Sequence, residues 1–220
     1  MNGAKARIFI IDDHPLVREW LTNLIDTTPD LIVCGEADSG KAALQLLAAA
    51  EPDLAIIDLS LGGGSGIDLI RSVRTMFPKV AMIVLSMHDE RVYAERSIRA
   101  GARGYIMKRE STKKIIEAIR EVLKGNMYLS KELMELFAEK FVSGAPANGA
   151  QPVAQLSDRE LEVFQLIGQG YETREIAKAL NVNIKTVQTY CTRIKDKLKF
   201  STGAELLREA VRWNEAHSAR

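Results

Sequence analysis

The stretch Arg7-Ile8-Phe9-Ile10-Ile11-Asp12-Asp13 decides the fold. Its apolar core is too short for a helix, is rich in β-branched residues and does not alternate with polar ones. That pattern belongs to a strand buried on both faces, the usual state of a strand in a parallel sheet. Leu54-Ala55-Ile56-Ile57-Asp58 repeats it, again ending in a carboxylate. Working outward, strands are expected at 7–12, 31–36, 54–58, 81–86 and 104–108. Helix-period stretches at 16–26, 40–50, 67–77 and 91–100 lie between them, and 112–124 closes the unit. The connections are short, as crossover units require. The fold class expected is an α/β three-layer sandwich around a parallel five-stranded sheet.

In such a sheet, ligand sites form outside the carboxyl ends of the strands. Asp12, Asp13, Asp58, Ser86 and Lys108 all fall there, so three acids, a hydroxyl and an ammonium are expected in one pocket. Neighbouring carboxylates repel by about 4 kcal/mol at 4 Å and an effective dielectric of 20, so the pocket calls for a cation. Magnesium fits, since it takes one or two carboxylates together with phosphate oxygens and waters. Asp58 is then a nucleophile able to accept a phosphoryl group. Lys108 and the metal stabilise the charge spread over the equatorial oxygens in the transition state, and Ser86 donates a hydrogen bond to the product.

The rest of the composition is ordinary. Acidic and basic residues nearly cancel, leaving a formal charge of +1, which excludes nothing about partners. Cys34 and Cys191 fall in different halves, so neither a disulfide framework nor a cysteine metal site is expected. His14, His88 and His217 show no ligand spacing, and His88 reads as a solvated loop residue. There is no signal-peptide apolar region and no run long enough to span a membrane, so a cytoplasmic protein is expected.

After Gly125 the strands stop. A helix at 131–142 with Leu133, Leu136, Phe137 and Phe141 on one face reads as a linker helix. The stretch 143–152 has the composition of a linker. The domains expected are 5–124, a linker at 125–155, and 156–216. The last is all helical: Ser157-Asp158-Arg159-Glu160 is a capping-box sequence, and helices at 173–180 and 184–198 are joined by Asn181-Val182-Asn183. A final helix is expected at about 203–213. Two helices joined by so short a turn make a helix-turn-helix. On a helical wheel, Ile184, Val187, Tyr190, Cys191, Ile194 and Leu198 form the packing side. Lys185, Gln188, Thr189, Thr192 and Arg193 form the other. Over 174–199, seven bases against two acids leave a local charge of +5 within a neutral chain, a patch suited to a phosphate backbone.

On Asp12, Asp13, Asp58, Ser86 and Lys108, residues 5–124 resemble a response-regulator receiver domain, whose flavodoxin-like sheet has the order 2-1-3-4-5. On Leu156-Ser157-Asp158-Arg159-Glu160-Leu161-Glu162-Val163, Glu175-Ile176-Ala177, Lys185-Thr186-Val187-Gln188-Thr189-Tyr190 and Lys197-Leu198, residues 156–213 resemble the LuxR-type four-helix helix-turn-helix domain. Together they are similar to the NarL/FixJ family of two-component response regulators. The resemblance implies that Asp58 is phosphorylated by a cognate sensor histidine kinase. It implies that Asp12, Asp13, Asp58 and the backbone carbonyl of Ser60 hold Mg2+, and that Ser86 and Tyr105 form a switch pair, the ring turning inward. It also implies that Gln188, Thr189 and Thr192 approach base edges of promoter DNA, while Lys185, Thr186, Arg193 and Lys195 position the helix on phosphates. It further implies that a homodimer forms when the protein is phosphorylated. No enzyme is implied beyond phosphoryl acceptance and autodephosphorylation.

The chain departs from the family pattern at several positions. Gly62 stands where receivers often have proline, making 61–66 a flexible turn beside the acceptor. Arg109, not proline, follows Lys108. Met87 follows the switch hydroxyl, where a small residue is frequent, and would shield the phosphoryl group. Tyr190 replaces a frequent histidine, and Lys199 a glycine or asparagine. Two rivals exist. A phosphohydrolase with Asp12 as nucleophile usually needs an aspartate at position 14, which is His14. A helical output that binds protein or RNA would lack salt-dependent, sequence-selective binding to duplex DNA.

Overall fold

The computed structural model describes residues 4–61, 64–142 and 152–218. Gly62, Gly63 and nearly all of the glycine- and proline-rich linker therefore lie outside the described residues, as does the side chain of Phe141. The chain divides into two compact units, Met1–Met134 and Glu135–Arg220.

The first unit is built from β1 (Ala6–Ile11), α1 (Pro15–Asp26), β2 (Leu31–Ala37), α2 (Gly40–Ala50) and β3 (Leu54–Ile57). These are followed by β4 (Ser60–Leu61), β5 (Gly64–Ser65), α3 (Gly66–Met76), β6 (Ala81–Ser86), α4 (Glu90–Ala100), β7 (Gly104–Met107) and α5 (Thr112–Leu123). The main sheet is parallel in the order β2-β1-β3-β6-β7. This is the expected 2-1-3-4-5 once the two-residue strands β4 and β5 are set aside. Those two pair antiparallel just after Asp58, Ser60 opposite Ser65 and Leu61 opposite Gly64.

The period-2 alternation of each strand sorts its side chains between two layers. Ile8, Ile10, Leu54, Ile56, Ile83, Leu85 and Ile106 meet Leu21 and Ile25 of α1 and Ile115, Ala118, Ile119 and Val122 of α5. Phe9, Ile11, Ala55 and Ile57, pointing the other way, are equally buried. Beyond α5 the segment before the next helix adds a short parallel bridge between Gly104 and Tyr128. The Tyr128 amide donates to the Arg103 carbonyl at 2.9 Å and the Tyr105 amide to the Tyr128 carbonyl at 3.1 Å. Helix α6 (Lys131–Val142) follows, with Leu133 only 1% exposed.

The second unit holds a 3-10 turn (Pro152–Gln155), α7 (Asp158–Gly168), α8 (Thr173–Ala179), α9 (Ile184–Leu198) and α10 (Gly203–Ser218). The capping box at Ser157 and Glu160 forms, and Glu172 with Glu175 makes a second one at α8. Helix α7 packs on α9 and α10. Gly168 permits this, because a Cβ there would strike the backbone of Ala210 in α10. Leu161, Val163, Phe164, Ile176, Val187, Ile194 and Ala210 form the core.

Candidate phosphoryl-acceptor pocket and nucleic-acid face

The sheet ladder itself delivers the acids. The Asp58 amide donates to the Ile11 carbonyl at 2.8 Å, the Asp12 amide to Ala37 at 3.2 Å, and the Lys108 amide to Ser86 at 2.8 Å. Residues ending four different strands are thereby set at one edge. Lys108 Nζ lies 2.6 Å from Asp12 Oδ2 and 2.7 Å from Asp58 Oδ2, bridging the two. Both carboxylates are almost wholly buried. Burial pushes the Asp58 carboxyl above the ordinary aspartate value, with the Lys108 charge pulling the other way. Burial alone would lower the Lys108 ammonium, but Asp58 and Asp12 outweigh it and hold it above its usual value.

Asp12, Asp13, His14 and Asp58 each offer a ligand atom within 4.8 Å of the others. Magnesium takes hard oxygen ligands, one or two of them carboxylates, and the carboxylates grouped here offer these, so the donor set fits the ion. Ser60 opens β4, its amide donating to Asp58 Oδ1 at 3.2 Å. Ser86 is completely buried at the end of β6, and its hydroxyl accepts the His88 amide at 3.2 Å. Tyr105 is 1% exposed, with its ring already inward and its hydroxyl donating to the His88 carbonyl at 2.9 Å. Burial raises its pKa strongly. Met87 is 69% exposed.

Four contributors carried no sequence signal or were misread. His88 is no solvated loop residue: its Nε2 is 2.8 Å from the Ser60 hydroxyl and its ring lies on Tyr93 at 4.6 Å. Burial and the nearby Lys108 charge push its pKa down to about 4, so it is neutral at physiological pH. His14 joins the acid cluster, 2.7 Å from Asp13 Oδ1, although no histidine ligand spacing marks it. Arg18 donates to the Asp12 carbonyl at 2.7 Å. Gly66 lets α3 start against the acceptor loop, since a Cβ there would lie 2.5 Å from both the Asp58 carbonyl oxygen and Leu59 Cα.

In the second unit, Asn183 caps α9, its Oδ1 accepting the Thr186 amide at 2.7 Å and the Thr186 hydroxyl at 3.0 Å. Asn181 takes the positive φ that the turn needs, a conformation asparagine tolerates. Lys185, Gln188, Thr189, Thr192 and Arg193 are exposed on one face, while Thr186 and Lys195 are half-buried. The Thr189 and Thr192 hydroxyls donate to the carbonyls of Lys185 and Gln188, one turn back. Their methyl groups and remaining lone pairs are left to face a ligand. Val187, Ile194 and Leu198 are buried, but Ile184, assigned to the packing side, is 41% exposed. It is the first residue of α9. Lys199 ends α9 in the left-handed region at φ 59. Lys197 Nζ is 2.6 Å from Glu160 Oε2, tying α9 to the capping box of α7.

Residues 8–120 match the response regulator receiver domain and residues 154–210 the luxR family of bacterial regulatory proteins. The oxygen regulatory protein NreC of Staphylococcus aureus is 35% identical over 210 residues, covering 94% of this chain and 97% of NreC. RcsB from Salmonella enterica serovar Typhimurium, solved bound to promoter rprA with phosphomimetic BeF3−, aligns with a TM-score of 0.61 and 26% identity. That alignment covers 93% of this chain and 97% of RcsB. A LuxR-family two-component response regulator from Aurantimonas aligns at 0.59 with 32% identity, covering 63% of this chain and 99% of its own.

Proposed function

Because this chain belongs to the NarL/FixJ family of two-component response regulators, pairing a receiver with a LuxR-type helix-turn-helix domain that controls transcription, we propose that Asp58 is its phosphoryl acceptor. The observation that carries this is the Lys108 ammonium bridging Asp12 and Asp58 at the ends of parallel strands. The donor is a phosphohistidine of a sensor histidine kinase. Its P–N bond breaks as an Asp58 oxygen–phosphorus bond forms, the electron pair returning to the imidazole, which takes a proton from solvent. Asp12, Asp13, Asp58 and the Ser60 carbonyl would hold Mg2+, which would supply charge neutralisation for the phosphoryl transfer. Lys108, whose ammonium touches Asp58, is placed to stabilise the charge on the phosphoryl oxygens. The Ser86 hydroxyl turns to the product phosphoryl, with Tyr105 packed behind it. Hydrolysis of the acyl phosphate resets the receiver.

Residues 5–124 form the receiver, 125–155 the linker and 156–216 the DNA-binding domain. The exposed basic and polar face of α9 supports insertion into the major groove of duplex DNA. Gln188, Thr189 and Thr192 reach base edges there, and Lys185, Thr186, Arg193 and Lys195 lie on phosphates. A phosphorylated homodimer would place two such helices on half-sites about one helical turn apart. No described helix is long and apolar enough to cross a membrane, and work on a histidine kinase's phosphoryl group and on promoter DNA supports a cytoplasmic protein.

Intact-mass spectrometry after incubation with acetyl phosphate and magnesium tests the acceptor. One added phosphoryl group, lost in Asp58→Asn, is expected, and an addition that survives the substitution would refute the assignment. Selection from random-sequence duplexes, with and without the phosphodonor, then tests the output. Identical binding by both forms at fixed salt would sink phosphorylation control.

A further inference from the structure

A hydrogen bond between the start of α4 and the start of α6 is left unused by the assigned chemistry. Ser130 stands just before α6. Its hydroxyl donates to Glu90 Oε1 at 2.8 Å and accepts the Leu133 amide at 3.2 Å, while its carbonyl accepts the Met134 amide at 3.1 Å. One side chain therefore caps α6 and ties it to the first residue of α4. Glu90 lies four residues after Ser86 and opens α4 at the end of the intervening loop. That loop is anchored by the His88 amide on the Ser86 hydroxyl, the His88 ring on the Ser60 hydroxyl and the Tyr105 hydroxyl on the His88 carbonyl. On its other side, the segment entering α6 is held to β7 by the Tyr105 amide and the Tyr128 carbonyl.

We infer that the Glu90–Ser130 hydrogen bond is a releasable clutch: it couples the loop after Ser86 to the N-terminus of α6, whose chain continues into the DNA-binding unit. This rests on Asp58 being the acceptor. A Ser86 hydroxyl turned toward a phosphoryl group on Asp58 takes its lone pairs away from the His88 amide, and the loop loses an anchor. Tyr105 is already inward, so the freedom to move falls on the loop and on the first turn of α4. Displacing Glu90 removes the acceptor for the Ser130 hydroxyl, which is then free to turn away from the Leu133 amide. The first turn of α6 is thereby loosened. A coupling of this kind needs an element with two discrete arrangements that both ends bias, and the first turn of α6, capped or uncapped, supplies it.

The test is hydrogen exchange of the full-length protein, followed by mass spectrometry over 128–142, with and without beryllofluoride and magnesium. In the native protein the additive should slow exchange around Asp58 and speed it at the start of α6, by about ten-fold for a coupling of ordinary size. Ser130→Ala and Glu90→Ala should show the faster exchange without the additive and change no further with it. Ser130→Thr and Glu90→Gln, which keep a hydroxyl and an acceptor, should behave as native. Native-like exchange in both alanine variants overturns the clutch, as does protection around Asp58 with no response in α6. A protein in which beryllofluoride changes exchange nowhere overturns the acceptor reading, and the clutch with it.

Discussion

Replacing Lys108 with methionine removes the cation that lies between two buried carboxylates. At 2.6 and 2.7 Å, each attraction is worth about 6 kcal/mol gross at an effective dielectric of 20. Desolvation of all three groups offsets most of it. What remains in the variant is the larger concern, because Asp12 and Asp58 are each 2% exposed and would face one another without a counter-charge. Removing one partner from such a set costs about 3 kcal/mol or more. The loss should be greatest in EDTA and shrink in millimolar magnesium, since an ion bound only by the folded state stabilises it by mass action. It should also grow with pH. The Asp58 carboxyl, raised by burial and in the variant without the Lys108 charge that opposes it, binds its proton more tightly folded than unfolded, so the folded state is penalised as pH rises through and beyond the ordinary aspartate value of about 3.9. The chain has two tryptophans, Trp20 in α1 and Trp213 in α10. In a Trp213→Phe background, Trp20 fluorescence in urea reports the receiver alone. A variant as stable as native in EDTA at pH 8 would refute the reasoning.

Three further outcomes follow from the same geometry. Gly66→Ala drives a Cβ into backbone that cannot step aside, so the receiver should lose about 1–3 kcal/mol in the same urea assay, and acetyl phosphate should label it more slowly. Glu160 is buried and, despite that burial, is held below its usual pKa by Lys197 and the Ser157 amide. A depressed acid contributes stability above its unfolded value and loses it as pH falls through the lower folded one. Urea midpoints followed through Trp213 should therefore drop below about pH 4.5 in native protein, and that drop should be much shallower in Lys197→Met. Arg193→Ala should weaken binding to all selected duplexes alike and lower the salt slope by about one. Gln188→Ala should instead change which duplexes are selected, and a uniform loss there would argue against a base contact.

The parallel sheet was legible because buried strands betray themselves locally. Runs such as Ile8 to Ile11 and Leu54 to Ile57 have no polar face, and the helices between them carry their own period. The acid pocket was legible for the same reason, since a residue that ends a buried strand has its position fixed by the ladder that follows. The polar face of α9 followed from period alone, although Ile184, at the helix edge, escaped the wheel's assignment.

His88 was misread because nothing in Met87-His88-Asp89 distinguishes a solvated histidine from one held by Ser60, 28 residues away. The Glu90–Ser130 pair spans 40 residues and likewise leaves no periodic mark. Gly66 looked like one flexible glycine among several, whereas the fold requires it for close approach to Asp58. The sequence by itself determined which elements form and which chemistry stands at their ends, because secondary structure follows from patterns repeated over a few neighbouring residues. Only the tertiary structure decided which side chains from distant loops meet, because such a contact depends on where separately formed elements pack and requires no pattern in the chain between them.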